Sequence, residues 1–487
     1  MAMLFKGLAM RDMIAIVASM LTMTVVSARE VTPSVKAEKQ APAEAGVRLQ
    51  SLKDLTIAAL RARHYGSTLR ILADLATGPN ARVYAERFFG GGPGPYSSVL
   101  ASYQSDGLRL YARLDVPHAP PPPGGYPVIV FLHGWVGYEA AKDFHFSYTP
   151  DSMYAEMIDA YAKAGFVVVT PGYRGHGTVN GQVAGGRASM AAWDNATHIA
   201  PILYAIDSLN LIDGLSSIKM LNFQDYGRHS GTVSLNLKRL YVSGHSQGGD
   251  VALTVLAVAG HGSKVVNRPR AGSIMSGTFP DRFTQVETFR PMAESSEAFL
   301  AGDGTWTGSA RGRDGTVNPN FVFGWPSDSI ETPDPREWTW QKGQYGEASV
   351  RDVVVAGYSE MYRSLSQNVS DLGDANFSIL EGVKPKGYKI NHDPRVASMI
   401  QDLGGFYAER FISARVALHF SDRDYYSLPR WNYDLCARIA RRGGYCKPHE
   451  YIGGTHTLRL SSHGWFSPAG SHEPYAIIIK RDLALFR

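Results

Sequence analysis

Short apolar runs recur along this chain and alternate with stretches of helical spacing. The runs that predict strands are residues 99–103, 108–114, 128–132, 166–170, 240–242, 271–276, 414–420 and 448–452. The central runs are apolar throughout, which is typical of strands that are buried on both faces. Helical spacing is found at residues 151–164, 193–209, 251–259 and 432–441. The alternation predicts an α/β fold, in which helices flank a mostly parallel sheet.

The alternation stops over residues 282–411, after the sixth predicted strand, and resumes at residue 412. Helical stretches are predicted there at residues 350–372 and 394–410. An insertion at this point lies over the carboxyl edge of a parallel sheet, where ligands bind, so we predict a cap. Most aromatic side chains of the cap are expected to pack its own core, and some to line a pocket. The segment holds four of the eight tryptophans, namely Trp306, Trp325, Trp338 and Trp340.

The amino terminus has the pattern of a secretory signal. Lys6 and Arg11 precede an apolar stretch at residues 13–26, which Ser27 and Ala28 follow. We therefore predict a signal peptide over residues 1–28 and a secreted or periplasmic protein, the alternative being an uncleaved membrane anchor. No later segment is long and apolar enough to span a bilayer.

Four further units follow the predicted signal peptide. Residues 29–97 form a tether and a helical arm, with leucines at helical spacing over residues 48–76. The α/β core is predicted over residues 98–281 and 412–487, and the cap is predicted between these two parts.

Composition narrows the possible partners. The 487 residues are 44% hydrophobic and 19% charged, and the formal net charge is +5. The chain has no long Lys/Arg run, so nucleic acid is not an expected partner, and a small molecule or peptide is. No phosphate-binding glycine loop or metal-ligand spacing occurs, so no cofactor and no metal are predicted. The sequence predicts no particular oligomeric state.

Two cysteines, Cys436 and Cys446, are the only ones in the chain. Two cysteines suffice for one disulfide bond in an exported protein, so a disulfide is predicted. The alternative is a pair of buried free thiols.

One motif carries candidate chemistry. It is Gly244-His245-Ser246-Gln247-Gly248-Gly249, between the predicted strand at residues 240–242 and the predicted helix at 251–259. A strand, a sharp turn with serine at its tip and then a helix form the nucleophile elbow of α/β-hydrolases. Backbone passes too close to such a turn for side chains at positions 244 and 248. The motif predicts Ser246 as a nucleophile.

A serine hydroxyl needs a base, and the base needs an orienting acid. Hydrolases of this fold order them Ser, Asp or Glu, then His. The acid is expected after the strand at residues 414–420, where Asp424 is preferred and Asp422 is the alternative. The base is expected one helix and one strand later, at His456 in a glycine loop. His449 lies within the preceding strand, and His463 lies too far along the chain.

The tetrahedral intermediate needs two backbone N–H donors for its oxyanion. One is predicted at Gln247, the residue after the nucleophile. The other is predicted in the loop after the strand at residues 128–132, at Trp135. The Trp135 side chain is also expected to make a hydrophobic contact there.

These motifs resemble the catalytic domain of the prolyl oligopeptidase family of serine hydrolases, over residues 98–280 and 412–480. The residues that carry the resemblance are 105–108, 127–134, 171–177, 244–249, Asp424 and 454–456. The resemblance implies the triad Ser246, Asp424 and His456 and the two oxyanion donors. The chain departs from this family in having the insertion at 282–411 and no room for an amino-terminal β-propeller, and related stand-alone proteins include esterases.

Three functions follow as hypotheses. The first is an exported serine hydrolase that cleaves peptide or amide bonds. The second is a carboxylesterase whose aromatic cap forms a pocket. The third is a binding protein that keeps the hydrolase fold without catalysis, and it is disfavoured because all three triad residues are present.

Overall fold

The computed structural model describes residues 50–75, 81–92, 94–136, 140–146, 153–187, 199–218, 221–222, 232–285, 287, 350–384, 386–421, 424, 427–452, 454, 456–459 and 473–487. The predicted signal peptide and the tether lie outside these residues. So do Asp422, His463 and the four cap tryptophans, Trp306, Trp325, Trp338 and Trp340.

A nine-stranded, mostly parallel sheet forms the centre of the molecule. Its strands are β1 (Arg70–Asp74), β2 (Tyr96–Ser105), β3 (Leu108–Pro117), β4 (Tyr126–Leu132), β5 (Val167–Pro171), β6 (Leu235–His245), β7 (Ala271–Met275), β8 (Arg415–Ser421) and β9 (Cys446–Tyr451). The spatial order is β1-β2-β3-β5-β4-β6-β7-β8-β9. The pairs β1/β2, β2/β3 and β3/β5 are antiparallel, and the remaining neighbours are parallel. Each predicted strand corresponds to one strand of this sheet, with bounds that differ by a few residues.

Helices cover both faces of the sheet. They are α1 (Ile57–Ala62), α2 (Ala81–Phe89), α3 (Met153–Lys163), α4 (Ile199–Gly214), α5 (Gln247–Val258), α6 (Val350–Asn368), α7 (Pro394–Met399), α8 (Pro429–Arg441) and α9 (Glu473–Leu485). Every residue of β4 is buried. Alternate β4 residues face opposite ways, so Val128 and Val130 pack with α4 and α5, while Ile129 and Phe131 pack with α3 and α9. This two-sided burial explains why the central strands are apolar throughout, and helices on both faces of a mostly parallel sheet confirm the predicted α/β fold.

The amino-terminal arm differs from its predicted helical form. The helix α1 ends at Ala62, and Arg70–Asp74 is a strand that pairs antiparallel with β2. The leucine spacing over residues 69–75 fitted a helix, but the open edge of β2 offers backbone partners that decide the local structure. The arm is therefore part of the core.

The described part of the predicted cap packs beside α5. Buried side chains of α6, among them Val354 and Tyr358, join the same apolar core as α4 and α5. A hairpin follows, with strands Ser378–Glu381 and Tyr388–Asn391. The helix predicted over residues 394–410 is shorter, because α7 ends at Met399 and only two short 3-10 turns, Ile400–Asp402 and Glu409–Phe411, follow it.

The two cysteines form the predicted disulfide, which joins Cys436 in α8 to Cys446 at the start of β9. Helix α8 packs on β9. Within the described residues, the helices include none whose length and apolar character would suit a bilayer crossing.

Candidate active site

Ser246 lies at the turn between β6 and α5. Its backbone has φ 55° and ψ −128°, a conformation that costs a non-glycine residue free energy. The turn is held in place because the Ser246 N–H donates to the Met275 carbonyl at 2.9 Å, and the Ser246 carbonyl accepts from Gly249 N–H at 2.8 Å. A sharp turn of this kind presents the serine hydroxyl at the edge of the sheet, as the elbow motif predicts.

Close packing around this turn explains the neighbouring glycines. A Cβ atom at Gly248 would overlap the carbonyl oxygen of Leu132 at the end of β4. A Cβ atom at Gly249 would lie 2.7 Å from the Cα of Gly277, which follows β7. Helix α5 therefore starts in contact with two neighbouring strand ends, and Ser246 lies where these ends meet.

His456 and Asp424 complete a hydrogen-bonded chain with Ser246. The Nε2 atom of His456 lies 2.9 Å from Ser246 Oγ, and its Nδ1 lies 2.9 Å from Asp424 Oδ1. The carboxylate of Asp424 is fully buried, and His456 is 4% exposed. In this geometry Nδ1–H donates to the carboxylate and Nε2 accepts the hydroxyl proton. The structure thus brings together the three side chains that the sequence predicts as a triad.

Ser427 holds the acid in place, a role that the sequence did not reveal. Its backbone N–H donates to Asp424 Oδ1 at 3.0 Å, so this oxygen receives two hydrogen bonds. The Ser427 hydroxyl accepts from Thr278 N–H at 3.0 Å, which attaches the loop to the chain after β7. Serine is common in loops, so nothing in the pattern singles out this one.

Of the alternative triad residues, only His449 lies within the described residues. His449 lies in β9, where its ring stacks on His419 at 4.9 Å, and it takes no part in the Ser246 chain of hydrogen bonds. Asp422 and His463 lie outside the described residues.

The segments that carry the predicted oxyanion donors, Gln247 and Trp135, lie next to Ser246. Gln247 is the first residue of α5, so its amide is at the positive end of the helix dipole. On the other side, the loop after β4 passes the nucleophile, since a Cβ atom at Gly134 would lie 3.3 Å from Ser246 Cβ. Gly134 already donates its N–H to Tyr154 Oη at 2.9 Å. The next amide of the loop, Trp135, is therefore the candidate donor.

The Trp135 side chain is 49% exposed, which is unusual for a tryptophan. Ile452, which precedes the His456 loop, is 72% exposed. Both apolar side chains belong to the segments that carry the proposed oxyanion donor and the base.

Two further side chains connect the parts of the site. His245 Nδ1 lies 3.0 Å from Tyr154 Oη, and His245 Nε2 lies 2.9 Å from the His456 carbonyl oxygen. The sequence places His245 in the elbow motif but gives it no role, and Tyr154 carries no signal because it lies in an ordinary amphipathic helix.

The arrangement is suited to acyl transfer. It combines a strained, partly exposed hydroxyl with a base that a buried carboxylate orients, next to two candidate amide donors. Within the part of the chain that the structure describes, no group of three His, Cys, Asp or Glu side chains is placed to hold a metal ion.

No family model and no curated protein sequence matches this chain. Several solved structures are similar to it. Acetyl xylan esterase 1 from Thermoanaerobacterium sp. is 12% identical, with a TM-score of 0.39 over 90% of this chain and 92% of the esterase. An esterase from Pyrobaculum calidifontis is 11% identical, with a TM-score of 0.41 over 83% of this chain and 88% of the esterase.

An acylaminoacyl peptidase from Pyrococcus horikoshii is 13% identical, with a TM-score of 0.40 over 81% of this chain and 42% of the peptidase. These TM-scores are low, so the α/β-hydrolase fold rests on the strand order and the turn at Ser246.

Proposed function

We propose that this chain is an exported serine hydrolase that cleaves a peptide amide or an ester bond through an acyl-enzyme on Ser246. One observation carries the proposal. Ser246, His456 and Asp424 come from three separate segments of the chain and form a continuous chain of two 2.9 Å hydrogen bonds. A serine in a strained turn with an oriented imidazole at hydrogen-bond distance is the arrangement of an activated nucleophile.

Acylation begins when Ser246 Oγ attacks the substrate carbonyl carbon and its proton moves to His456 Nε2. The carbonyl oxygen becomes an oxyanion, which the amides of Gln247 and Trp135 stabilise. Asp424 stabilises the imidazolium that forms. When the intermediate collapses, the C–N or C–O bond breaks, and the leaving group takes the proton from Nε2.

Deacylation repeats these steps with water. His456 takes a proton from the water as its oxygen attacks the acyl carbon, and the proton returns to Ser246 Oγ when the acid leaves. The enzyme ends in its starting protonation state, so no cofactor is required.

Between the two bonds, we favour a peptide or amide, with a carboxylic ester as the second candidate. The sequence resemblance favours the first. The exposed apolar side chains of Trp135 and Ile452 support an apolar group next to the scissile bond in either case. Turnover of aminoacyl-p-nitroanilides separates the two, since an esterase hydrolyses p-nitrophenyl esters and leaves the anilides intact.

The disulfide supports the exported location, because such bonds persist mainly in oxidising compartments. Cell fractionation of a tagged full-length chain, with mass determination of its amino terminus, tests export and signal cleavage together. Recovery of the uncut chain in the cytosolic fraction would contradict this part of the proposal.

Replacement of the nucleophile tests the mechanism. Ser246→Ala is expected to lower kcat by roughly 10⁴–10⁶-fold and to abolish labelling by a fluorophosphonate. Ser263→Ala is the matched control, since this buried serine lies in the turn beyond α5 and outside the site. An unchanged rate in Ser246→Ala would refute Ser246 as the nucleophile, and a wild-type chain without hydrolytic activity would leave a binding role as the explanation of the fold.

A further inference from the structure

A line of three hydrogen bonds connects the two loops that flank the nucleophile. It runs from Gly134 N–H to Tyr154 Oη at 2.9 Å, between Tyr154 Oη and His245 Nδ1 at 3.0 Å, and between His245 Nε2 and the His456 carbonyl at 2.9 Å. One end lies in the loop of the oxyanion donor Trp135, and the other end is the backbone of the proposed base.

The two ends of this line fix the direction of every bond. The Gly134 amide only donates, so Tyr154 Oη accepts there and gives its own proton to His245 Nδ1. The His456 carbonyl only accepts, so His245 Nε2 carries the hydrogen. One tautomer of neutral His245 satisfies all three bonds. Burial, together with the neighbouring His456, lowers the pKa of His245 to about 3, so the ring stays neutral at physiological pH.

Packing keeps these groups in place. The Tyr154 and His245 rings meet edge to face with centroids 5.7 Å apart, and the His245 and His456 rings lie 5.1 Å apart. A Cβ atom at Gly134 would lie 2.6 Å from Tyr154 Oη, so the tyrosine hydroxyl fills the space beside the oxyanion loop. Tyr154 is on α3 and His245 ends β6, so the line is built on two rigid elements.

We propose that Tyr154 and His245 are positioning residues of the reaction, forming a bridge that sets the spacing between the oxyanion loop and the His456 loop. The bridge rests on the proposed function of the same site. In the transition state, negative charge develops next to the Trp135 amide while His456 gains a proton. Oriented donors are effective only when they are held in place beforehand, and a displacement of about 1 Å costs about 10²-fold in rate.

Removal of one hydroxyl tests the bridge. Tyr154→Phe takes the acceptor from Gly134 N–H and the donor from His245 Nδ1. Active sites are counted by fluorophosphonate titration, and hydrolysis of p-nitrophenyl acetate is then measured per active site. We expect kcat to fall about 10- to 100-fold with KM within about two-fold of wild type. The inhibition constant of phenylboronic acid, whose tetrahedral adduct places an oxygen at the oxyanion position, is expected to rise in parallel with the loss in kcat.

Tyr161→Phe is the matched control. Tyr161 lies on the same helix, is buried and donates its hydroxyl to Asp482 at 2.5 Å, outside the site. Its loss is expected to lower the melting temperature and to leave kcat per active site unchanged. An equal loss of kcat in both variants would show that general packing of α3 matters, and would overturn the bridge.

His245 supplies a second test. His245→Leu removes both hydrogen bonds of the ring, and combining it with Tyr154→Phe is expected to cost no more than the larger single loss, because both changes break one bridge. His245→Gln, which carries a donor and an acceptor at its end, is expected to recover part of the rate of His245→Leu. Additive losses in the double variant would contradict a shared role.

The experiment separates the bridge from the function on which it rests. If wild type is labelled at Ser246 and turns over substrate, but Tyr154→Phe keeps kcat per active site within two-fold, the bridge is refuted and the hydrolase stands. If wild type takes no phosphonate label at Ser246 and hydrolyses no substrate, the proposed function fails and the bridge fails with it.

Discussion

Arg61 of the amino-terminal arm donates through Nη1 to the carbonyl oxygen of Ala257, at 2.8 Å, in the last turn of α5. The same guanidinium also donates to the carbonyls of Val258 and His261, and it lies over the Phe411 ring at 4.3 Å. The helix that begins next to Ser246 is therefore capped at its carboxyl end by a cation from the amino-terminal arm. This placement satisfies carbonyls that the helix itself leaves without partners.

Replacement of Arg61 is expected to destabilise the fold. Arg61→Met keeps most of the stem and leaves three carbonyls without their charged donor, so the free energy of unfolding should fall by about 3 kcal/mol. Urea unfolding followed by circular dichroism measures the loss. Arg87→Met is the control, since Arg87 makes a surface ion pair with Glu156 worth under about 1 kcal/mol. Equal losses in the two variants would contradict a capping role for Arg61.

The acid Asp424 offers a graded test of the triad. Asp424→Ala removes the partner of His456 Nδ1, and kcat should fall by about 10⁴-fold. Asp424→Asn should be faster than Asp424→Ala, because the Ser427 amide keeps the remaining oxygen turned toward His456. Pre-steady-state hydrolysis of an activated ester measures both. An asparagine variant as slow as alanine would show that the amide turns its NH₂ group to the imidazole.

Two substitutions at Trp135 test the roles of its backbone amide and of its side chain separately. Trp135→Ala keeps the backbone N–H, so kcat on a short ester such as p-nitrophenyl acetate should stay within about three-fold of wild type. Trp135→Pro removes the N–H and should lower kcat by about 10²–10³-fold. Gly134 precedes this position and tolerates the restriction that proline imposes. Similar rates for the two variants would exclude Trp135 as an oxyanion donor.

Buried histidines should make the fold acid-labile. Burial lowers the pKa of His133 to about 4 and of His176 and His245 to about 3, below the unfolded value of 6.5. Between these values the unfolded chain binds more protons, so stability is lost as pH falls below 6.5, by about 1.4 kcal/mol per pH unit for each histidine.

Calorimetry between pH 7 and pH 5 measures this slope. His176→Phe keeps an aromatic ring stacked on Phe144, with which His176 now lies at 4.3 Å, and it should flatten the slope. A slope that His176→Phe leaves unchanged would show that this residue titrates alike in the folded and unfolded chain.

The sequence predicted the core strands and the positions of Ser246, Asp424 and His456 because each follows from local pattern plus the order in which hydrolase elements succeed one another. The contacts of Arg61, Tyr154 and Ser427 could not be predicted in this way. Each depends on which segments meet in space, and an arginine in a short helix or a tyrosine in an amphipathic one has the same local pattern with or without such a partner.

The arm shows the same limit. Its leucine spacing indicated a helix through residue 76, yet Arg70–Asp74 pairs with β2. The free edge of β2 determines that this segment forms a strand, and the sequence of the arm contains no sign of that edge. Two backbone contacts likewise connect the arm to the chain just after α6: the Gln50 carbonyl accepts from Ser370 N–H at 3.1 Å, and Leu52 N–H donates to Asp371 at 2.9 Å.

The glycines around Ser246 also limit how this protein can be altered in the laboratory. A Cβ atom at Gly248 would overlap the Leu132 carbonyl, and one at Gly249 would press on Gly277.

Saturation libraries should therefore leave Gly248 and Gly249 fixed and diversify Trp135 and Ile452 instead, where exposed side chains can be exchanged without moving backbone. Selection for new substrates should enrich changes at the second pair of positions and return glycine at the first.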